Sequence, residues 1–477
     1  MSEKRSHLPN LTEGSIIRSI FTLSVPIIFA NLLQTVYQLT DTFWVGRLGA
    51  EAVAAVSLSF PITFLMLSIG GGLFIAGSIL VAQYKGKGNI QQVDYVSAQS
   101  LMMLLMVTFI ITPVGYFTAG PLMELIGAEA DVLPQATSYL QIIFLGSVFM
   151  FGYFSFQALM RGVGDVKTPI YIVLITVILN FILDPLFIMG YGPIPAMGVS
   201  GAALATILTQ GIAAITGMVL LFSGKYGIHI KPKNFVLDLP LLKKMFFLGL
   251  PASIEQSARA LGMTLIAFLV ASFGTLTVAA YGLGTRVFSF VIIPAMGFAM
   301  ATSTLVGQNI GAGKMERAEK IGKIAATMSF VLLTGVGIIL FLLAKPLVTI
   351  FIPNDQEVIQ SSANFVRIFA LFFGVIGLQQ TLNGVFMGSG NTMISMIIAL
   401  ISLWVFQFPL AYILSHHTSL AELGIWWAFP LSGILSTIIA IAYFSTGRWK
   451  QKNLISPPTT PLQDEVIKEA IVEEGVQ

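Results

Sequence analysis

Twelve apolar runs, each long enough to cross a bilayer, take up most of this sequence. They lie at about residues 16–44, 53–83, 95–118, 133–158, 168–190, 198–222, 241–272, 277–307, 321–344, 358–386, 393–414 and 424–446. A helix needs roughly 20 mostly apolar residues to span the hydrocarbon layer. Barrel strands would be about 10 residues long with alternating polarity, and these runs are too long and too continuous for that. The expected fold is therefore an all-α polytopic membrane protein with twelve transmembrane helices. Charge content agrees: only 10% of residues are charged and 56% are apolar, against about 25% charged in soluble chains. So few charges cannot cover a water-exposed surface, which excludes a soluble binding module. The first run is too long for the apolar core of a signal peptide and lacks a small-residue cleavage site, so it is expected to remain as a span.

The basic residues orient these spans. With the N-terminus in the cytoplasm and the chain alternating, only Arg47 and Lys345 of the 25 Lys and Arg residues fall outside. Arg259, Arg286 and Arg367 fall within spans, and all the others gather on the cytoplasmic side. That bias is the positive-inside rule, and one missed or invented span would scramble it. Both termini are thus expected to be cytoplasmic, in a multi-pass protein of the plasma membrane. Residues 1–14 form a short cytoplasmic N-terminus and 223–240 a cytoplasmic loop. The stretch 447–477 turns polar from about Gln451 and acidic at its end, with Pro457-Pro458 and Glu473-Glu474, and is expected to be a disordered tail.

The two halves repeat at an offset of 225–226. Leu23-Ser24-Val25-Pro26 matches Leu248-Gly249-Leu250-Pro251, and Leu48-Gly49 with Val53-Ala54-Ala55 matches Phe273-Gly274 with Val278-Ala279-Ala280. Gln83, Gly86 and Gly88 match Gln308, Gly311 and Gly313; Gly162-Val163-Gly164-Asp165 matches Gly388-Ser389-Gly390-Asn391; Gly198 matches Gly424. Each half holds six spans, an even number, so both halves insert the same way up. They are parallel repeats, one over 15–222 and one over 241–446, related by a pseudo-twofold along the membrane normal. Transporters of several folds are built on such repeats, with the substrate site between them. Duplication kept for stability alone is the weaker alternative.

Ionisable groups at bilayer depth are costly and point to function. Asp41 lies late in the first span, on a polar stripe with Gln34, Tyr37 and Gln38. Asp184 lies in the fifth, one helical turn after Asn180. The repeat partners of the two acids are Ile266 and Leu410, so the lobes share a scaffold and differ in chemistry. Two carboxylates brought together in a poorly solvated site repel, which suits a proton carrier; two carboxylates plus the Asn180 oxygen also suit Na⁺. The bland alternative has Asp41 marking a span end and Asp184 capping a break before Pro185. Glu255, in the seventh span, has Arg259 one turn on, the favourable order for an ion pair, which fits a structural pair as well as a secondary site. Pro26 and Pro251 sit inside long helices and permit bends. Gly70-Gly71-Gly72 allows close helix contact or a hinge.

Other chemistry is poorly served. With no Cys and four His, disulfides and thiolate metal sites are excluded and no resident metal or cofactor is expected. No H-E-x-x-H, G-x-S-x-G or P-loop occurs, so an intramembrane enzyme is the unlikely alternative class. Without an ATPase domain, any transport is secondary.

The sequence resembles the multidrug and toxic compound extrusion (MATE) transporters over about residues 12–448. The resemblance rests on Pro26 through Gln34-Thr35-Val36-Tyr37, Asp41 and Val45-Gly46-Arg47-Leu48-Gly49; on Gln83-Tyr84-Lys85-Gly86; on Arg161-Gly162-Val163-Gly164-Asp165-Val166-Lys167-Thr168-Pro169; on Asn180 to Asp184-Pro185; and on Val306-Gly307-Gln308-Asn309-Ile310-Gly311-Ala312-Gly313. It implies two six-helix lobes forming a V and export of small organic cations in exchange for H⁺ or Na⁺ by alternating access. No nucleic-acid partner is implied, and a single copy in the bilayer suffices. Asp41, Asn180 and Asp184 resemble the DinF-like branch. There this cluster, with tyrosines matched here by Tyr37 and Tyr139, carries the coupling ion, and the first span bends at the residue matching Pro26. Two departures stand out. Glu255 resembles a glutamate of the NorM-like branch, but that branch's acidic partner in the tenth span is missing from Gly374-Val375-Ile376-Gly377-Leu378-Gln379-Gln380. Ala202 stands where some relatives carry a hydroxyl near the N-lobe site. The runner-up is a flippase of the wider superfamily moving lipid-linked sugars, for which a strongly cationic cavity would be expected.

Overall fold

A computed structural model describes residues 9–353, 355–452 and 454–455. The N-lobe consists of α1 (Ile16–Gly46), α2 (Ala50–Gly86), α3 (Ile90–Ile126), α4 (Leu133–Leu145), α5 (Ser147–Val163), α6 (Lys167–Ile188) and α7 (Val199–Ser223). The C-lobe consists of α8 (Leu239–Ala271), α9 (Thr275–Gly311), α10 (Met315–Phe351), α11 (Gln356–Ala370), α12 (Phe373–Gly388), α13 (Thr392–Leu400), α14 (Phe408–His416) and α15 (Glu422–Ser445). A π-helical segment, Ile401–Gln407, joins α13 to α14 into one rod. Ten helices are long and apolar enough to cross a membrane, and two bent pairs complete twelve spans: α4 with α5, bent by 51°, and α11 with α12, bent by 50°. The breaks fall at Gly146 and at Leu371-Phe372, one repeat offset apart. No β-strand occurs among the described residues; Tyr191 and Ile194 form one isolated bridge.

Local chemistry sets where these helices start. Ser15 accepts from Arg18 N–H, Asn89 from Gln92 N–H and Asp238 from Leu241 N–H; each satisfies an amide that the first turn leaves unpaired. The outward faces carry large apolar side chains such as Phe109, Phe117 and Leu342. A continuous apolar surface of that kind fits lipid.

Contacts between the lobes obey the repeat. Gln83 Nε2 donates to Gly388 O (3.1 Å), and its mate Gln308 Nε2 donates to Gly162 O (2.9 Å). Gly86 packs on the Gln308 carbonyl and Gly311 on the Gln83 carbonyl, so closely that a Cβ at either would lie 1.8 Å from that oxygen. Deeper in, a Cβ on Gly72 would come within 2.2 Å of Ser253 Oγ, and one on Gly297 within 2.3 Å of Ile28 Cγ1; Gly72 and Gly297 are repeat mates, as are Ile28 and Ser253, each two 225 apart. Such exchange of partners is what a twofold axis along the span direction produces. The glycine run at 70–72 therefore serves close contact: Gly70 on Phe151, Gly71 on Gln256 and Gly72 on α8.

All these contacts lie in one half of the bundle, at the end where both described chain ends meet. We call it the basal end. There Asn309 Nδ2 donates to Leu11 O (3.1 Å), Lys314 Nζ to Thr12 O (3.1 Å) and Arg317 to Glu13 O (2.9 Å), so residues 11–13 strap α9 and α10. The two lobes form a V joined at its basal end.

One expectation is revised. The segment after α15 does not become disordered at Gln451. Arg448–Gln451 form a 3-10 turn; Trp449 is fully buried, stacks on Phe444 and donates from its indole to Phe444 O (3.1 Å), and Leu454 and Ile455 are buried as well. An indole and two aliphatic side chains supply enough apolar area to order a polar-looking segment. The remainder of the expected tail, from 456, and residues 1–8 lie outside the described residues. The alternative in which Asp184 caps a break before Pro185 does not hold: α6 runs through Pro185 to Ile188.

Candidate functional site

Three helices of the N-lobe build one polar cluster. From α6, Asn180 and Asp184 project one turn apart and are both fully buried, with Asn180 Nδ2 donating to Asp184 Oδ1 at 2.9 Å. From α1, Asp41 lies close enough to Asp184 and Asn180 to interact with both. From α7, Thr206 Oγ1 donates to Asp41 Oδ2 (3.4 Å). Tyr37, one turn before Asp41, shares a 2.7 Å hydrogen bond with Thr209 Oγ1 and donates to Thr206 O at 3.5 Å. Helical spacing explains the assembly: 37 and 41 share a face of α1, 180 and 184 a face of α6, and 206 and 209 a face of α7.

The chemistry of this cluster is unbalanced. Asp41 Oδ1, Asn180 Oδ1 and Asp184 Oδ2 are buried and have no partner within the protein. Buried polar groups are ordinarily hydrogen-bonded, and two carboxylates close together repel unless a proton or cation lies between them. Every group aimed at the pair is neutral: an amide and a threonine hydroxyl, with Tyr139 of α4 also nearby but not hydrogen-bonded. Oxygen-rich, unpaired and acidic, the cluster suits a proton or a hard cation. No group of three His, Cys, Asp or Glu that could hold a metal occurs among the described residues.

The other sequence-derived candidates lie apart from this cluster or at its margin. Gln34 is half-buried on α1 and makes no hydrogen bond to the cluster. Pro26 lies within α1, which continues unbroken from Ile16 to Gly46. Glu255, 4% exposed, accepts from Arg259 Nη2 (2.9 Å) and Asn383 Nδ2 (3.2 Å). It belongs to an ion pair completed by an amide from α12, and no second acid joins it. Thr206, Thr209 and Asn383 are the participants that sequence reasoning missed. The threonines follow Ala202 by four and seven residues, so the hydroxyl lacking at 202 has counterparts further along the same face.

A two-lobe bundle of parallel six-helix repeats, with a buried acidic pair in one lobe only, defines a multi-pass membrane transporter. The MatE family model matches residues 26–186 and 251–413, and the chain belongs to that family of multidrug and toxic compound extrusion transporters. It is 30% identical over 455 residues to the probable multidrug resistance protein YpnP of Bacillus subtilis, covering 94% of this chain and 99% of that one. It is 28% identical to YoeA of the same organism, covering 93% and 96%. A solved structure described as the outward-facing conformation of a multidrug resistance MATE transporter superposes with a TM-score of 0.87 at 25% identity, covering 94% of this chain and all of that one.

Proposed function

We propose that this chain is a secondary antiporter of the plasma membrane that exports small organic cations in exchange for H⁺ or Na⁺, with Asp41, Asn180 and Asp184 as the coupling site. The carrying observation is the buried juxtaposition of the two carboxylates with three unpartnered oxygens. The names of the two Bacillus relatives support drug export. Both termini then face the cytoplasm, as the basic residues demand, and the basal end is the cytoplasmic end. The cluster's composition supports the DinF-like branch, and one copy of the chain suffices because each polar cluster is complete within one lobe.

Filling the site with a proton or Na⁺ relieves the repulsion between Asp41 and Asp184. That changes how firmly α1 is held against α6 and α7, and Pro26, which leaves one backbone bond of α1 unmade, gives α1 a place to bend. Cargo and coupling ion then oppose each other, and this opposition is reciprocal in binding. A lipid-linked sugar flippase is disfavoured, because an acidic pair repels a pyrophosphate. The test is efflux of a cationic dye from proteoliposomes with pH and Na⁺ gradients imposed separately. Efflux driven by one of them is expected; efflux indifferent to both would overturn the reading.

A further inference from the structure

The C-lobe holds a cavity of about 170 Å³ lined by α8, α9, α11, α12, the π segment and α15. It borders the repeat-equivalent place of the N-lobe cluster, although Ile266 and Leu410, the mates of Asp41 and Asp184, do not line it. Arg259 stands in register with Gln34, Ser432 with Thr206, and the π segment 401–407 with the turn of α6 that carries Asn180. Its chemistry is the reverse. No carboxylate lines it; the charged lining group is the Arg259 guanidinium, whose side chain is 43% exposed while Glu255, its partner, is buried. A guanidinium has five N–H donors, and the structure uses one of its nitrogens for Glu255. The lining also includes a cluster of rings in which Phe369 contacts Phe429 at 5.0 Å and Phe288 at 5.5 Å between ring centroids. The π segment contributes Ser402, Leu403 and Gln407 to the lining; single π turns inside α-helices recur at functional sites.

We propose that this cavity is a second binding site, for an aromatic ring that bears an anionic group, with the ring among the phenylalanines and the anion on Arg259. The size fits: an apolar cavity of about 150 Å³ accepts benzene. Edge and face contacts from several rings favour a planar aromatic over an aliphatic chain. Arginine offers a carboxylate two parallel donors, and Glu255, the acid that would repel an anion, is not among the lining residues. The two lobes would then read opposite ends of one cargo, acidic groups in the N-lobe and a guanidinium in the C-lobe. Only that role in transport rests on the exporter reading; the binding itself does not.

The experiment is equilibrium dialysis of radiolabelled 2-naphthoate against the full chain in lipid nanodiscs, corrected for empty nanodiscs, with 2-naphthylmethylammonium as the cationic comparator. Gly433 lines the cavity and has no atom within 4 Å of a Cβ built on it, so a side chain can start there without strain and Gly433→Leu puts apolar bulk into the space. Saturable naphthoate binding is expected, weakened at least tenfold by Gly433→Leu and by Arg259→Gln, while the ammonium comparator is unaffected by Arg259→Gln. Should Arg259→Gln fail to fold, Gly433→Leu decides alone. Unsaturable naphthoate uptake, or saturable binding that Gly433→Leu leaves unchanged, would overturn the proposal. Because no gradient is imposed, either result is independent of whether Asp41 and Asp184 couple transport.

Discussion

The basal seal rests on two side-chain amides related by the repeat, and removing them should open it. Gln83 and Gln308 are buried, at 0% and 3% exposure, and each donates to a backbone carbonyl of the opposite lobe, Gly388 O at 3.1 Å and Gly162 O at 2.9 Å. Replacing both by Leu keeps the size of the side chains and deletes both donors. The two carbonyls then stay dry and unpaired while the lobes are joined, and regain water when they separate. A buried neutral hydrogen bond contributes about 1 kcal/mol net, so the double substitution should shift the equilibrium between joined and separated lobes by roughly 2 kcal/mol, about thirtyfold. The chain has no cysteine, so spin labels can be placed at Lys167→Cys and Lys320→Cys, two exposed positions on opposite lobes, without background. Pulsed electron spin resonance should show a longer basal distance gaining population in Gln83→Leu/Gln308→Leu. A distance distribution identical to that of the unsubstituted pair would refute the reasoning that these amides hold the lobes together.

Three further outcomes follow from the same geometry. Asp41→Asn and Asp184→Asn should each abolish gradient-driven dye efflux while leaving expression and thermal stability near those of the parent chain; retained efflux in both would place coupling elsewhere. Glu255→Gln should keep most of that efflux, since Glu255 has no second acid beside it and is balanced by Arg259 and Asn383; a loss as complete as that of Asp41→Asn at matched expression would contradict this. Trp449→Ala should cost about 3 kcal/mol or more, the usual range for emptying a buried indole site, read as a lower melting temperature; an unchanged melting temperature would mean that the segment after α15 contributes no packing.

How much of this was legible in the sequence depended on how few roles a residue type can play. Pro26 with Pro251, and Gly86 with Gly311, exposed the repeat because prolines inside helices and glycines at close approaches cannot drift freely. Asn180 and Asp184 were legible as one site because four residues in a helix fix a shared face. Thr206 and Thr209 were not, because threonine in an apolar helix commonly bonds its own preceding turn, as Thr209 also does to Ala205 O at 3.0 Å; nothing local shows that its hydroxyl meets Tyr37 as well. Gln83 and Gln308 were visible as matching letters, yet their partners lie in the opposite lobe, 305 and 146 residues away along the chain. The bends at Gly146 and Leu371-Phe372, and the π segment at 401–407, arise from packing around the lobe interiors, which hydropathy does not record.

The central claim is that one acidic cluster serves the coupling ion in opposition to the cargo. Its most direct test is equilibrium binding of a cationic dye to the purified chain across pH and across Na⁺ concentration, with Asp41→Asn and Asp184→Asn alongside. If the cluster couples, affinity in the parent chain falls as pH falls, or as Na⁺ rises, and each substitution flattens that dependence. An unaltered pH and Na⁺ dependence in both variants would contradict the account.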